Sequence, residues 1–318
     1  MRKRSVSSFW TQALKRQMGA VTRTAPQASH WRTGTAVSAA GARRYCLFQT
    51  AAHIPAQGLA LVVMLHGCNQ DARGFAASTR MNQLAQSAGF VVLYPEQDRF
   101  ANAHACWNWF DTRSGRAQKE ASSILAVLDQ VCAKYPIDTG RIVLAGMSAG
   151  ASMAALVALQ DPARFLALAL HSGVGPGMAD STASALAAMR GRSPKQALHA
   201  AQQPSLWPPL LVIQGTRDTV VAPANGELTV RRWATALGAR ETAPRAVQRG
   251  ARYVMTIQDW KLGTRVVASL AEVAGLGHAW SGGAATQAFS DPQGPDASRM
   301  VWSFAQRAYD KRQRQRQH

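Results

Sequence analysis

Predominantly apolar runs recur along the chain at residues 59–65, 89–95, 141–145, 165–170, 210–213 and 266–273. Runs of this length without polar alternation suit strands buried on both faces, as in a parallel sheet covered by helices. Between them the apolar period lengthens to that of a helix. Residues 120–135 carry Ile124, Leu125, Leu128, Val131 and Cys132 at helical spacing, and residues 151–157 continue the third run as a helix. The alternation predicts one α/β domain with a mostly parallel central sheet flanked by helices. Residues 178–209 break the rhythm. They are rich in small residues, helical in parts and closed by Leu206-Trp207-Pro208-Pro209, which predicts a small cap or excursion between strands.

With 318 residues and 47% hydrophobic composition, the chain has ample material for a real core, which excludes a disordered or fibrous protein. No apolar stretch reaches the roughly 18–20 residues of a transmembrane helix. The net charge of +19 is concentrated at the ends. No acidic residue precedes Asp71, and the chain closes in Lys311-Arg312-Gln313-Arg314-Gln315-Arg316-Gln317-His318. The expected organisation is a basic extension and linker over residues 1–40, a catalytic domain over 41–306 and a basic tail over 307–318. Such ends are solvated termini or make electrostatic contact with a polyanion or anionic surface. Phe9, Trp10, Ala13, Leu14 and Met18 share one helical face, which fits a helix packed on the main domain, a membrane-surface helix or an organelle presequence. The polar interruptions there do not suit a secretory signal. Cys46, Cys68, Cys106 and Cys132 have no metal-binding spacing.

The chemistry gathers where the runs end. Gly146-Met147-Ser148-Ala149-Gly150 joins a run to a helix, the context in which a serine is held on a strained turn above the sheet edge. Asp218 follows the run at 210–213, and His278 follows the run at 266–273. Serine, acid and histidine in that order, each just past a strand, is the order of the α/β-hydrolase triad. His278 would take the proton of Ser148, and Asp218 would orient the imidazole and stabilise its cation. Asp259, expected in an exposed turn, and Asp180, in the excursion, are rival acids. His66 and His171 suit structural roles. The His66-Gly67-Cys68 turn would supply one oxyanion donor, the N–H of Cys68, and the N–H of Ala149 the other. The cluster Cys106-Trp107-Asn108-Trp109-Phe110 is either a satellite core or a pocket wall. Nothing in this chemistry calls for a metal or an organic cofactor.

Together with Tyr94-Pro95-Glu96-Gln97, Gly277-His278-Ala279-Trp280-Ser281-Gly282-Gly283 and Asp291-Pro292-Gln293-Gly294-Pro295-Asp296-Ala297, these motifs resemble the poly(3-hydroxybutyrate) depolymerase family of esterases over residues 45–306. The resemblance implies an α/β-hydrolase fold, a Ser148, Asp218 and His278 triad and Cys68 at the oxyanion hole. It further implies pairing of Cys68 with Cys106, and Trp107, Trp109 and Trp280 beside the substrate. The implied activity is hydrolysis of carboxylic esters, either hydroxyalkanoate oligomers or short-chain esters. A carbohydrate-acyl esterase, of acetyl or feruloyl type, is the alternative, and a basic surface-binding protein on a hydrolase scaffold is a second. The chain displays no separate polymer-binding module, which favours a soluble ester over a crystalline solid. The family points outside the cell, whereas the N-terminus does not, so an extracellular and a cytoplasmic location both stand.

Overall fold

The computed structural model describes residues 31–50, 53–192 and 204–316. In chain order the strands are β1 (Trp31–Ser38), β2 (Gly41–Phe48), β3 (Leu59–Leu65), β4 (Val91–Pro95), β5 (Ile137–Met147), β6 (Ala167–His171), β7 (Leu210–Gly215), β8 (Arg240–Glu241), β9 (Arg245–Val247), β10 (Met255–Leu262), β11 (Arg265–Val273), β12 (Trp280–Ser281) and β13 (Ser290–Asp291). The helices are α1 (Ala72–Thr79), α2 (Met81–Ala88), α3 (Arg116–Lys134), α4 (Ala149–Gln160), α5 (Thr182–Met189), α6 (Ala224–Ala236) and α7 (Ala297–Arg316).

The six apolar runs become the middle of the sheet. β4, β3, β5, β6, β7 and β11 lie side by side in that order, and every pair is parallel. Antiparallel strands extend both edges: β2 pairs with β4 and β1 with β2, while β10 pairs with β11 and carries β8 and β9. Successive side chains on a strand point to opposite faces, so the runs feed two cores. Leu61, Val63, Leu144, Leu168, Val212 and Leu270 pack with α3, α4 and α6. Val62, Met64, Val143, Ala145, Ile213 and Val273 pack with α1, α2 and α7. This is an α/β-hydrolase architecture with a mostly parallel sheet between helical layers.

Three expectations are corrected. Residues 31–38 of the expected linker form edge strand β1, paired along its whole length with β2. Only Ala36 on it is buried, so it lacked the apolar signature of an inner strand. The expected tail from residue 307 is the end of α7, where the Arg141 guanidinium sits 4.4 Å from the Tyr309 ring and Lys311 Nζ donates to Thr264 Oγ1. Its charges lie on a helix whose other face is held by Phe304 and Ala305. Asp259 occupies β10 rather than a turn and is buried, accepting from Ser269 Oγ at 2.5 Å and pairing with Arg245 at 2.7 Å. The amphipathic segment of residues 5–18 and residues 193–203 of the excursion lie outside the described residues.

The ring of Trp302 on α7 stacks on Phe90 at 4.2 Å, fixing the helix to the sheet. Trp302→Ala is expected to destabilise the fold by about 3–5 kcal/mol, read from urea unfolding. A loss below about 1 kcal/mol would show that α7 stands apart from the cooperative unit.

Candidate active site

Ser148 caps α4 with φ 55° and ψ −124°, a region a residue with a side chain rarely adopts. The neighbours force it there. A Cβ on Gly150 would lie 2.1 Å from the Leu65 carbonyl oxygen and 2.4 Å from that of His66, and one on Gly146 would lie 2.4 Å from the Gly150 oxygen. Only glycine permits so tight a reversal from β5 into α4. The Ser148 N–H donates to the His171 carbonyl at 2.9 Å, which leaves its hydroxyl at the open end of the sheet.

Ser148 Oγ lies 2.9 Å from His278 Nε2, and His278 Nδ1 lies 2.8 Å from Asp218 Oδ2. A carboxylate only accepts, so Nδ1 carries the proton and Nε2 presents a lone pair to the serine hydroxyl. Such a hydroxyl can give up its proton as its oxygen attacks an electrophile. The Asp218 side chain is wholly buried, and its Oδ1 accepts the N–H groups of Val221 at 2.8 Å and Val220 at 3.0 Å. Burial by itself would raise its pKa. The hydrogen bond and charge of His278, with the two N–H donors, outweigh burial and hold it below the ordinary value. The loops bearing acid and base are stitched together. Arg217 N–H donates to Leu276 O and Gly275 N–H to Thr216 Oγ1, and a Cβ on Gly215 would strike Leu276 O at 2.3 Å.

The turn after β3 lies against the nucleophile, since a Cβ on Gly67 would sit 3.5 Å from Ser148 Cβ. Gly67 N–H is taken by Gln70 Oε1 and Asn69 N–H by the His104 carbonyl, while the Cys68 N–H between them has no acceptor among the described residues. The Ala149 N–H opens α4 and has no carbonyl to reach within the helix. A disulfide joins Cys68 to Cys106, while Cys46 and Cys132 are free thiols.

Sequence reasoning missed a buried polar network behind this turn. Gln97 Nε2 donates to the Cys106 carbonyl, its backbone N–H donates to His66 Nε2, and its Oε1 accepts from Arg43. Trp107 Nε1 donates to the His66 carbonyl, and Glu120 accepts from both the backbone and the side chain of Asn108. An amide just past an apolar strand, Gln97 after β4, was the available signal. Gln214, an amide inside the apolar β7, was another.

Of the tryptophans expected against substrate, Trp107 and Trp280 lie inside the core. Trp107 is fully buried with its N–H satisfied, and Trp280 is buried between His171 and Phe75 with its N–H given to Ser298. Trp109 packs edge-on with Phe110 in the same core as Trp107. The aromatic cluster extends the core, because rings with satisfied N–H groups gain most from complete burial. His66 and His171 are likewise internal, and the ring Nε2 of His171 accepts the N–H of Ser281. Asp180 pairs with Arg113 at 2.6 Å, away from either histidine. Among the described residues no cluster of three metal-ligating side chains occurs.

Residues 44–246 match the family model described as esterase PHB depolymerase. Poly(3-hydroxyalkanoate) depolymerase C of Paucimonas lemoignei is 32% identical over 198 residues, covering 57% of this chain and 46% of that protein. Probable acetylxylan esterase A of Neosartorya fischeri is 25% identical, covering 59% and 54%. Feruloyl esterase B of Neurospora crassa is 27% identical, covering 56% and 65%. The matched region thus spans about half to two thirds of these relatives. Among solved structures, acetyl xylan esterase from Aspergillus awamori aligns with a TM-score of 0.64 at 20% identity, covering 78% of this chain and 94% of that one, a likeness of fold.

Burial depresses the pKa of His66 to about 4 and of His171 to about 3, from an ordinary 6.5. Between these values the unfolded chain binds protons that the folded chain refuses, so stability must fall as pH drops from 6.5 toward 4. The slope is about 1.4 kcal/mol per pH unit for each histidine. Asp218 adds to the loss only at still lower pH, as it is protonated. Urea unfolding at pH 7 and pH 5 should reveal the decline, with roughly half of it gone in His171→Gln. Equal stability at both pH values would contradict the burial of these rings as neutral groups.

Proposed function

The chain belongs to the esterase PHB depolymerase family, and from that premise we propose that it is a serine hydrolase of carboxylic esters acting through an acyl-enzyme. The observation that carries this reading is the continuous relay from Ser148 Oγ through His278 to Asp218, with contacts of 2.9 and 2.8 Å. Ser148 Oγ attacks the acyl carbon while His278 Nε2 takes its proton, and the carbonyl electrons move onto oxygen. The N–H groups of Cys68 and Ala149 receive that oxyanion. Collapse breaks the ester C–O bond, and the imidazolium returns its proton to the departing alcohol. Water repeats the sequence on the acyl-enzyme, releasing the acid and restoring Ser148. Asp218 keeps Nδ1 protonated and offsets the transient positive charge.

The substrate class proposed first is hydroxyalkanoate oligomers or short-chain esters, supported by the similarity to poly(3-hydroxyalkanoate) depolymerase C of Paucimonas lemoignei. The similarity to acetylxylan and feruloyl esterases supports the second reading, an acyl group carried on a sugar. Both use the same relay and differ in the alcohol released. The Cys68–Cys106 bridge supports an oxidising compartment. Among the described residues no helix is long and apolar enough to cross a membrane.

Ser148→Ala should lower ester hydrolysis by several orders of magnitude with the fold intact by circular dichroism. Retention of a tenth of the activity would exclude Ser148 as the nucleophile, whereas absence of hydrolysis by the parent chain would favour a binding protein on a hydrolase scaffold. Assays with p-nitrophenyl esters, 3-hydroxybutyrate oligomers, acetylated xylo-oligosaccharides and feruloylated sugars should rank the hydroxybutyrate oligomers first. Faster turnover of an acylated sugar would replace the first substrate reading with the second.

We also propose that the basic ends make electrostatic contact with a polyanion or an anionic surface. The full chain should bind anionic vesicles or heparin at low salt and release them as salt rises. A chain lacking residues 1–30 and carrying Lys311→Gln, Arg312→Gln and Arg314→Gln should lose that binding while still hydrolysing a small ester. Unchanged binding by this variant would place the contact elsewhere.

A further inference from the structure

Gln214 is the last side chain of β7 before Gly215, in a strand that is otherwise apolar, and none of it is exposed. Its amide Nε2 donates to Asp218 Oδ2 at 3.2 Å and to the Val221 carbonyl at 3.2 Å. Both partners only accept, so the amide cannot be flipped and its nitrogen must face them. Asp218 Oδ2 is also the oxygen that receives His278 Nδ1. Apart from His278, no other side chain donates to that oxygen among the described residues.

The other end of the same amide has no partner. Gln214 Oε1 is buried without a hydrogen bond, a state that costs about 1–3 kcal/mol relative to an apolar group of the same shape. Space has been left for this side chain, because a Cβ on Gly226 of α6 would lie 2.9 Å from Gln214 Cβ. A methionine would fill the volume with no unsatisfied carbonyl. Core packing therefore does not account for the amide, whereas its two donated hydrogen bonds do.

We propose that Gln214 is a positioning residue: it locks the Asp218 carboxylate and the Val221 turn so that Oδ2 stays aimed at His278 Nδ1. This rests on the assignment of Ser148, His278 and Asp218 as the relay. The backbone donors of Val220 and Val221 grip only Oδ1, so without Gln214 the one side-chain hold left on Oδ2 among the described residues is His278 itself, and acid and imidazole can shift together. The imidazole then loses part of its fixed orientation, which affects the chemical step more than the binding of an ester.

The test is Gln214→Met in the full chain, assayed with p-nitrophenyl butyrate. The expected result is a kcat lowered about tenfold at unchanged KM, with a melting temperature equal to or above that of the parent. The low-field proton resonance of His278 Nδ1–H should shift or broaden. Parent-like kcat with an unmoved resonance would overturn the proposal. So would a kcat loss accompanied by a lower melting temperature with the resonance unmoved, since a space-filling role predicts that outcome. Should Gln214→Met fail to fold, Gln214→Glu serves instead. It keeps the shape but sets a second acceptor against Asp218, and its kcat should fall further than tenfold; parent-like kcat in that variant would overturn the proposal. Ser148→Ala measured alongside separates the two levels. If that variant stays active the relay itself is wrong, whereas a dead Ser148→Ala beside a normal Gln214→Met refutes only the role of Gln214.

Discussion

The first turn of α4 rests directly on the end of β3, with backbone against backbone. At Gly150 no side-chain atom fits between the helix and the carbonyls of Leu65 and His66, so the separation between these elements is set by peptide groups alone. The rest of the site depends on that contact. It forces the reversal at Ser148 into a positive-φ conformation, at a cost of about 1–3 kcal/mol. It also brings the Gly67 turn against Ser148, so that the two N–H groups proposed as oxyanion donors, of Cys68 and Ala149, come from separate elements. A larger residue at 150 would part these elements and separate the proposed oxyanion donors from the nucleophile.

A turn that must hold a donor within tenths of an ångström needs support behind it. Here the support is polar and buried: Arg43 donates to Gln97, the Gln97 N–H to the His66 ring, and the Trp107 indole to the His66 carbonyl. Such a network is favourable only when every member is satisfied, and His66 meets the condition by remaining neutral. Its Nδ1 faces the Gly67 carbonyl and its Nε2 takes the Gln97 N–H. The disulfide pins the same turn from the solvent side, to the residue whose carbonyl Gln97 also holds. Two different constraints, one covalent and one hydrogen-bonded, thus act on Cys68 and Cys106 together.

The inner strands and the three residues of the relay were legible in the sequence because each lies in a context that physics makes distinctive. An apolar run without alternation has few uses other than a buried strand, and a serine between two glycines at a strand–helix junction has few other than exposure of its hydroxyl. Edge strand β1 was not legible, since it buries little and its Thr, Gly and Ala residues also suit a linker. Asp259 misled for a related reason. A charged residue on an antiparallel strand finds partners across the sheet, in Ser269, and on a neighbouring strand, in Arg245, and no local pattern announces either. The tryptophan cluster was ambiguous because aromatic clustering signals burial and ligand contact equally well. Only the fate of each indole N–H separates the two, and that depends on residues distant in sequence.

The parallel register explains why His171 matters although its ring takes no part in the relay. Ser148 ends β5, Asp218 follows β7 and His278 follows β11, so the base must reach back across intervening strands spaced about 4.8 Å apart to meet the serine. The first of these, next to β5, is β6, and His171 ends it. Its carbonyl fixes the Ser148 N–H, and its ring accepts the Ser281 N–H and stacks on Trp280, three and two residues beyond the base. One residue therefore ties the loop carrying the base to the elbow carrying the nucleophile. A protonated ring could no longer accept from Ser281, and its charge would oppose the imidazolium that the proposed mechanism forms on His278. The desolvation that keeps His171 neutral is thus a condition of the relay's geometry as well as a consequence of packing.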